Sequence, residues 1–171
     1  YIRVGAFTLS TLDLPNELFL KGQKFTFTGS SNAAIENQGQ ILAKHGDIHL
    51  IGVHAYNQGT LTAPQGNVYL AAGRCIVVQP DQVEPLFIAS EEDHTDHAGI
   101  EHSGSIYARN IDLLAEGNLY GLAIKHTGVT QAVGFENRGG CVRLIAKEGC
   151  VKVAESSRIT ALSDQGQQQV Q

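Results

Sequence analysis

Within residues 33–73 one pattern of side chains occurs twice at a spacing of 20 residues. Apolar and polar residues alternate in short runs, which is the period of a β-strand and not of a helix. A repeat of this length built from short strands indicates a solenoid, in which every coil adds strands to a shared core. The matched pairs are Asn37 and Asn57, Gly39 and Gly59, Ile41 and Leu61, Ala43 and Ala63, Gly46 and Gly66, Ile48 and Val68, and Leu50 and Leu70.

Worn copies of the pattern follow the two regular ones. In the first of them His102 stands where the asparagine is expected, and in the last of them Glu155 does. Asn137 keeps the asparagine in an intermediate copy. The chain therefore predicts several less regular coils after the insertion described below. These copies lie at residues 100–108, 124–132, 135–139 and 153–161.

The pattern predicts an all-β fold, a stacked parallel β-helix with coils of roughly 20 residues. We expect one β-helix domain over residues 1–162, because no coil can hide its apolar face without a neighbour. A polar, glutamine-rich tail or linker follows at 163–171. Within the domain, the expected parts are capping strands at 1–30, regular coils at 31–78, an insertion at 79–98 and degenerate coils at 99–162.

The repeated asparagines and glycines are interpreted as structural residues and not as catalytic ones. Asn37 and Asn57 lie one period apart, so their amides are expected to hydrogen-bond along the stack, as asparagine ladders do in other stacked sheets. The glycines suit corners because glycine tolerates positive φ at little cost. The predicted turn and ladder residues are Asn37, Gly39, Gly46, Asn57, Gly59, Gly66 and Asn137.

Composition excludes several classes of partner. The 171 residues are 42% hydrophobic and 17% charged, and the net charge is −5. No stripe of lysine or arginine is present, which argues against nucleic-acid binding. No apolar stretch is long enough for a transmembrane helix, so no transmembrane segment is expected. Because the chain starts at Tyr1 and contains no methionine, we expect it to be a portion of a larger protein.

Several motifs occur in an order that resembles a known family. The segment 4–14 reads VGAFTLSTLDL, and it is followed by NELFLKG at 16–22 and FTFTG at 25–29. The two regular repeats come next, and GNLYGLAIKHTG follows at 117–128. This succession is similar to the secretion domain of filamentous haemagglutinin-type exoproteins. The asparagine-rich recognition motif of that family has no copy in this chain.

The resemblance implies a right-handed parallel β-helix from a two-partner secretion exoprotein. Such a protein is exported through a dedicated outer-membrane transporter that recognises its amino-terminal domain. The implied location is extracellular or on the bacterial cell surface, and the implied role is adhesion or surface display. A receptor on a host or neighbouring cell is the corresponding partner.

The insertion carries a dense group of carboxylate and imidazole side chains. These groups are ligands for Ca²⁺ or Zn²⁺, so a metal or interaction loop is one interpretation. The alternative is a solvated excursion between coils, where charged residues are harmless. The residues in question are Glu91, Glu92, Asp93, His94, Asp96 and His97.

No motif for catalysis stands out, and the chain is expected to be neither an enzyme nor a cofactor-binding protein. Its histidines are spread over different coils without a recognisable nucleophile motif. A polysaccharide lyase is kept as a remote alternative, since β-helices include such enzymes. That reading requires stacking to bring Asp47, Asp112 and Arg143 together.

Two further features leave alternatives open. Cys141 and Cys150 are either bridged or part of a lateral stack of small residues on the outside of the coils. A solenoid also has two open ends, which favour pairing with another chain unless they are capped. Self-association through these ends defines the alternative function, a structural module of a surface coat, filament or multi-subunit assembly.

Overall fold

The computed structural model describes residues 1–21, 24–79, 86–88, 99–117, 122–134 and 139–163. This part of the chain is all-β, with a single helix α1 of six residues at Asn16–Lys21. The strands in chain order are β1 (Ile2–Val4), β2 (Phe7–Ser10), β3 (Phe25–Thr28), β4 (Ala34–Asn37), β5 (Gln40–Ala43), β6 (Ile48–Gly52), β7 (His54–Asn57), β8 (Thr60–Ala63), β9 (Val68–Ala72), β10 (Cys75–Val78), β11 (Leu86–Ile88), β12 (Gly99–His102), β13 (Ser105–Ala108), β14 (Asn110–Ala115), β15 (Leu122–His126), β16 (Val129–Val133), β17 (Cys141–Ala146), β18 (Cys150–Val153) and β19 (Arg158–Leu162).

Most strands belong to three parallel sheets. Sheet 1 has the order β4-β7-β12-β15-β18, sheet 2 the order β1-β5-β8-β13-β16-β19, and sheet 3 the order β2-β6-β9-β14-β17. Along the chain, successive strands pass from sheet 1 to sheet 2 to sheet 3 and then return to sheet 1. Each strand thereby pairs in parallel with the strand one circuit before it. The prediction of an all-β fold with parallel sheets is confirmed, and the arrangement is compatible with a β-helix.

The register of the parallel pairs follows the sequence repeat. Asn37 lies opposite Asn57, Ile41 opposite Leu61, and Leu50 opposite Leu70. After the insertion the same columns continue, because Ile100 lies opposite Ala55 and Ile106 opposite Leu61. The residues that the repeat aligns are therefore lateral neighbours in adjacent strands.

The main core lies between the three parallel sheets. Alternation along each strand sends every second side chain inward, where it packs on the residue in the same column of the next strand. Each fully buried aliphatic side chain of this kind stabilises the fold by about 1.5–3 kcal/mol. Columns on sheet 3 illustrate the packing, since Ile48, Val68 and Ile111, and Leu50, Leu70 and Leu113, are all completely buried.

A second apolar cluster lies on the opposite face of sheet 3. Three antiparallel strands, in the order β11-β10-β3, form a small separate sheet. Phe27 and Ile76 from this small sheet pack with Ile51, Ala71 and Leu114, which alternate outward from sheet 3. The small sheet thereby covers and buries the apolar outer face of sheet 3 in this region.

The insertion leaves the parallel sheets earlier than the sequence suggests. Regular coils were expected as far as residue 78, yet β10 at Cys75–Val78 pairs antiparallel with β3. The continuous apolar run of β10, Cys-Ile-Val-Val, resembles one more buried strand of a coil. Its residues instead serve the second cluster, with Ile76 and Val78 both buried there. A short apolar run does not indicate which of two cores it packs against.

The opening strands extend the parallel sheets. β1 pairs in parallel with β5, and β2 with β6, so they form the first edges of sheets 2 and 3. β3, which was expected to act with them, belongs to the small antiparallel sheet instead. The helix α1 between them was not predicted from the sequence.

The last coil is offset from its expected alignment by two residues. The sequence repeat places Glu155 at the asparagine position, but Val153 lies opposite His126 in that column. A turn at residues 154–157, closed by a hydrogen bond from Ser157 N to Ala154 O (3.0 Å), takes up the extra residues. This alignment keeps the charged Glu155 exposed and leaves an apolar side chain in the interior column.

Candidate functional site

A row of polar side chains crosses the interior beside the aliphatic core. Asn37, Asn57, His102 and His126 occupy the same column on sheet 1 and are all buried. Asn37 Nδ2 donates to Asn57 Oδ1 at 2.7 Å, which is the amide bond along the stack that the sequence suggests. Asn57 Nδ2 is 3.1 Å from His102 Nδ1. We call these four residues the interior ladder.

The side-chain hydrogen bond from Asn57 favours one tautomer of His102. The Asn57 amide nitrogen can only donate, so His102 Nδ1 accepts and the ring proton lies on Nε2. That nitrogen is 3.3 Å from the backbone oxygen of Val129, to which it donates. The ring then meets His126 edge to face, with 4.9 Å between ring centroids and 78° between ring planes. Neutral imidazole in this form matches the contacts with Asn57 Nδ2 and Val129 O, and Nδ1 also lies 3.3 Å from the backbone oxygen of Asn57.

His126 is less completely satisfied than the other members of the ladder. Its Nε2 lies 2.7 Å from Thr130 Oγ1, while its buried Nδ1 has no hydrogen-bond partner in the described structure. Burial, together with the neighbouring His102, lowers the pKa of His126 from 6.5 to about 4. Burial also lowers the pKa of His102, partly offset by its bonds to Val129 and Asn57. Both rings are uncharged near neutral pH.

A second ladder, which the sequence analysis missed, runs along the start of sheet 3. Asp47 Oδ1 accepts from Asn67 N at 2.8 Å, and Asn67 Oδ1 accepts from Asn110 Nδ2 at 2.9 Å. Asn110 Oδ1 in turn accepts from the backbone N of Cys141 at 3.1 Å. Each residue directly precedes the first core residue of its strand. The 20-residue spacing of Asp47 and Asn67 is the sequence signal for this ladder.

An ion pair lies on the outer face of sheet 3. Arg143 Nε and Nη2 bind the two oxygens of Asp112 at 2.8 and 2.7 Å. The carboxylate is nearly buried, and its partner is half-buried. Beside Asp112 in the same column is Tyr69, and His49 stacks on Tyr69 with 4.8 Å between ring centroids. Burial raises the pKa of Tyr69, and the charges of Asp47 and Asp112 raise it further.

These contacts bear on the lyase alternative. Stacking does bring Asp112 and Arg143 together, as that alternative requires, but both carboxylate oxygens are bound by the guanidinium. Asp47 lies two strands away from Asp112 and is bonded to Asn67. Arg143 thus holds both oxygens of Asp112 in an ion pair, and Asn67 binds Oδ1 of Asp47.

A column of glycines lies where the chain passes from sheet 1 to sheet 2. The column consists of Gly39, Gly59, Gly104 and Gly128. The backbone amides of the last three each donate a hydrogen bond to the preceding circuit of the chain. A Cβ placed on Gly59 would overlap the carbonyl oxygen of Gly39, and one on Gly104 that of Gly59. Close approach of successive backbones is therefore the reason for glycine at this corner.

The expected reason for these glycines, positive φ, is wrong. None of Gly39, Gly46, Gly59 and Gly66 has a φ angle in the left-handed region between +20° and +160°. Among the described glycines, only Gly117 and Gly149 adopt positive φ, at 75° and 84°. Gly66 repeats the close approach at the next corner, where a Cβ would overlap the backbone of Gly46. At Gly59 and Gly66, close approach of the backbone 20 residues earlier leaves no room for a Cβ atom.

Several sequence-predicted residues lie outside the described part of the chain. These are Asn137 and the candidate metal or interaction residues Glu91, Glu92, Asp93, His94, Asp96 and His97. Over the ranges that are described, no three His, Cys, Asp or Glu side chains come together as metal ligands would. Cys141 and Cys150 are free and exposed, and they lie on different sheets, sheet 3 and sheet 1.

The single helix among the described residues, α1, has six residues and is too short to cross a membrane. Comparison of the sequence with protein-family models gave no match. Comparison with curated protein sequences gave no significant match either.

Proposed function

We propose that this chain is a right-handed parallel β-helix with coils of about 20 residues, and that it belongs to a secreted or cell-surface exoprotein of the filamentous haemagglutinin type. Its role would be export through an outer-membrane transporter, nucleation of the fold, and adhesion or surface display by the parent protein. The role is a binding and display role without catalysis. The corresponding location is extracellular or on the bacterial surface.

The observation that carries this proposal is the repeated passage of strands through three parallel sheets in the order that the motifs follow. The opening motif supplies β1 and β2, which form the first edges of sheets 2 and 3. The two regular repeats supply the next two circuits, with Asn37 and Asn57 bonded along the stack. The motifs that resemble the family therefore occur along the chain in the same order as the strands that they form.

The interior supports a display role more than a catalytic one. Its polar residues bind one another, from Asn37 through Asn57 to His102. The ion pair of Asp112 and Arg143 is likewise closed on itself. Polar groups that hydrogen-bond to one another between neighbouring coils stabilise a long stack, and they are not available to bind a substrate.

The proposal predicts a long parent protein at the cell surface. An antibody raised against this chain should detect, on intact cells and in culture medium of the producing organism, a polypeptide many times longer than 171 residues. Protease added to intact cells should remove the surface signal but leave a cytoplasmic marker protein untouched. A mature protein close to 171 residues in length would contradict the exoprotein proposal.

A second candidate function, a self-assembling structural module, has one specific observation in its favour. The edge strands β1, β2 and β4 lie at one end of the sheets, and β17, β18 and β19 at the other. Interior columns are uncovered at both ends, with Ile2 39% and Val153 49% exposed. A second copy stacked head to tail would pair each edge with a strand of the same sheet and bury these side chains.

This second function predicts concentration-dependent association that depends on the end of the stack. Val153→Lys should weaken association at least about tenfold, because the lysine charge would be buried at the joint. Val133→Lys is the matched control, since Val133 is 39% exposed on a lateral face and not at the end. Sedimentation equilibrium measures both variants. A wild-type chain that stays monomeric at its highest soluble concentration would exclude this function.

A further inference from the structure

A groove crosses the outer face of sheet 1, away from the interior ladder and the ion pair of sheet 3. Its volume is about 130 Å³. Gly99 lies opposite His54 in the neighbouring strand. Because glycine has no side chain, the groove opens at this position. A Cβ at Gly99 would approach the backbone oxygen of Ala123 to 3.1 Å, which favours glycine there. The lining residues are His54, Tyr56, Gly99, Ile100, Glu101, Leu122 and Lys125.

One wall of the groove is aromatic and the other is aliphatic. The rings of His54 and Tyr56 have nearly parallel planes, 4° apart, with 6.1 Å between centroids. Across Gly99, the side chain of Leu122 is 47% exposed. The pairing of β15 with β18 is irregular between Leu122 and Ile124, and irregularities of this kind re-aim side chains. An apolar ring face inserted above Gly99 would contact both walls.

The end of the groove is polar and electrically balanced. Lys125 Nζ lies 3.3 Å from Glu101 Oε2, and both side chains are about half exposed. An ammonium group has three N–H donors, of which this ion pair uses one, and the carboxylate has spare lone pairs. The pair therefore offers donors and acceptors side by side without net charge. A neutral ligand rich in hydroxyl groups matches this combination better than an ion does.

We propose that this groove binds one ring of a neutral saccharide. The apolar face of a pyranose would lie against the ring of Tyr56, above the bare backbone of Gly99. Its hydroxyl groups would donate to Glu101 and accept from Lys125. The groove holds a single ring, so an individual site binds weakly, with a millimolar Kd. Repeated display on a cell surface would multiply such an affinity.

The inference rests on the groove alone and goes beyond the proposed function. The experiment uses the purified 171-residue chain, so export and parent length do not enter. A chain that binds saccharides but is never exported would refute only the proposed function. An exported chain that binds none would refute only the groove proposal.

Nuclear magnetic resonance titration tests the proposal directly. The probes are methyl glucoside, methyl galactoside, methyl mannoside and methyl N-acetylglucosaminide at up to about 50 mM, which suffices for a millimolar Kd. At least one should shift the amide signals of Gly99, Ile100 and Lys125. Disaccharides of the active sugar distinguish a terminal ring from a ring within a chain, and either result supports the site. Binding should not change with salt, because the ligand is neutral.

Variants localise the contact. Tyr56→Ala should weaken binding about tenfold, since an aromatic contact contributes of that order. Tyr107→Ala is the matched control, because Tyr107 is an exposed outward tyrosine on sheet 2, 39% exposed. Glu101→Gln combined with Lys125→Gln provides a second test at exposed positions should Tyr56→Ala fold poorly. The proposal is overturned if no neutral sugar shifts these signals, if only charged sugars bind, or if Tyr107→Ala weakens binding as much as Tyr56→Ala.

Discussion

Acidification should lower the free energy of unfolding by about 3 kcal/mol through the lowered pKa of His126, to which burial and the neighbouring His102 both contribute. Both rings are buried beside each other in the interior ladder, and His126 Nδ1 has no partner in the described structure. A proton on either ring would bring a charge into the space between the sheets. A proton on His102 would also remove the acceptor of the Asn57 amide.

The sign of this effect follows from the direction of the pKa shifts. The pKa of His126 falls from 6.5 to about 4 on folding, so between these values the unfolded chain binds more protons than the folded one. Stability therefore rises with pH across this window. It is undiminished above the unfolded pKa, and the full loss is reached below about pH 4. The lowered pKa of His102 acts in the same direction.

Urea denaturation at several pH values between about 7 and 4 measures the slope. Replacing both rings, His102→Asn with His126→Asn, should flatten it, because asparagine stays neutral and already occupies this column at Asn37 and Asn57. His45→Asn is the control, since His45 is exposed and bonds Gln65 on the surface. The slope, not the stability at neutral pH, is the readout. A double variant with the wild-type slope would contradict the assignment.

Gly59→Ala should destabilise the fold by about 3–5 kcal/mol. The new Cβ would overlap the carbonyl oxygen of Gly39 and approach the backbone of Gln38 to 2.8 Å. Backbone cannot rotate away as a side chain can, so neighbouring coils would have to separate. Gly59 N also donates to Asn37 O at 2.9 Å, and separation would weaken that bond.

Gly39→Ala is the matched control one circuit earlier in the same column. The nearest atom to a Cβ there is Asn37 Oδ1, at 4.0 Å. Because φ is not positive, alanine should be neutral or stabilise the fold by about 0.5 kcal/mol through the unfolded chain. Urea denaturation compares the two variants. Equal losses at Gly39 and Gly59 would show that these glycines are needed for local backbone conformation, against the close-approach explanation.

The repeat made part of the interior ladder predictable. Asn37 and Asn57 are separated by 20 residues, and His102 stands in the asparagine position of the first worn copy. The second ladder was harder to find. Asp47 and Asn67 keep the period, but Asn110 is 43 residues beyond Asn67, because an insertion and a two-residue deletion lie between them. A column interrupted in this way carries no fixed spacing.

Other features depended on contacts that no local pattern contains. The residues of β10 form an apolar run like that of a buried coil strand, but they pair with β3, about 50 residues earlier in the chain. Val153, not Glu155, takes the position in the interior column, because a charged carboxylate facing the interior costs more than a valine does. Likewise, glycine at position 59 is explained by the carbonyl of Gly39, which is its neighbour only after stacking.

Period, alternation and composition were enough to indicate parallel strands, the columns of core residues and the pairing of Asn37 with Asn57. These properties follow from local side-chain order, because the side-chain period of a strand and the length of the repeat determine which residues share a face. The neutral pair of His102 and His126, the ion pair of Asp112 and Arg143, and the groove above Gly99 were decided by tertiary structure. Each joins residues from different circuits, and their burial and distance exist only once the coils are stacked.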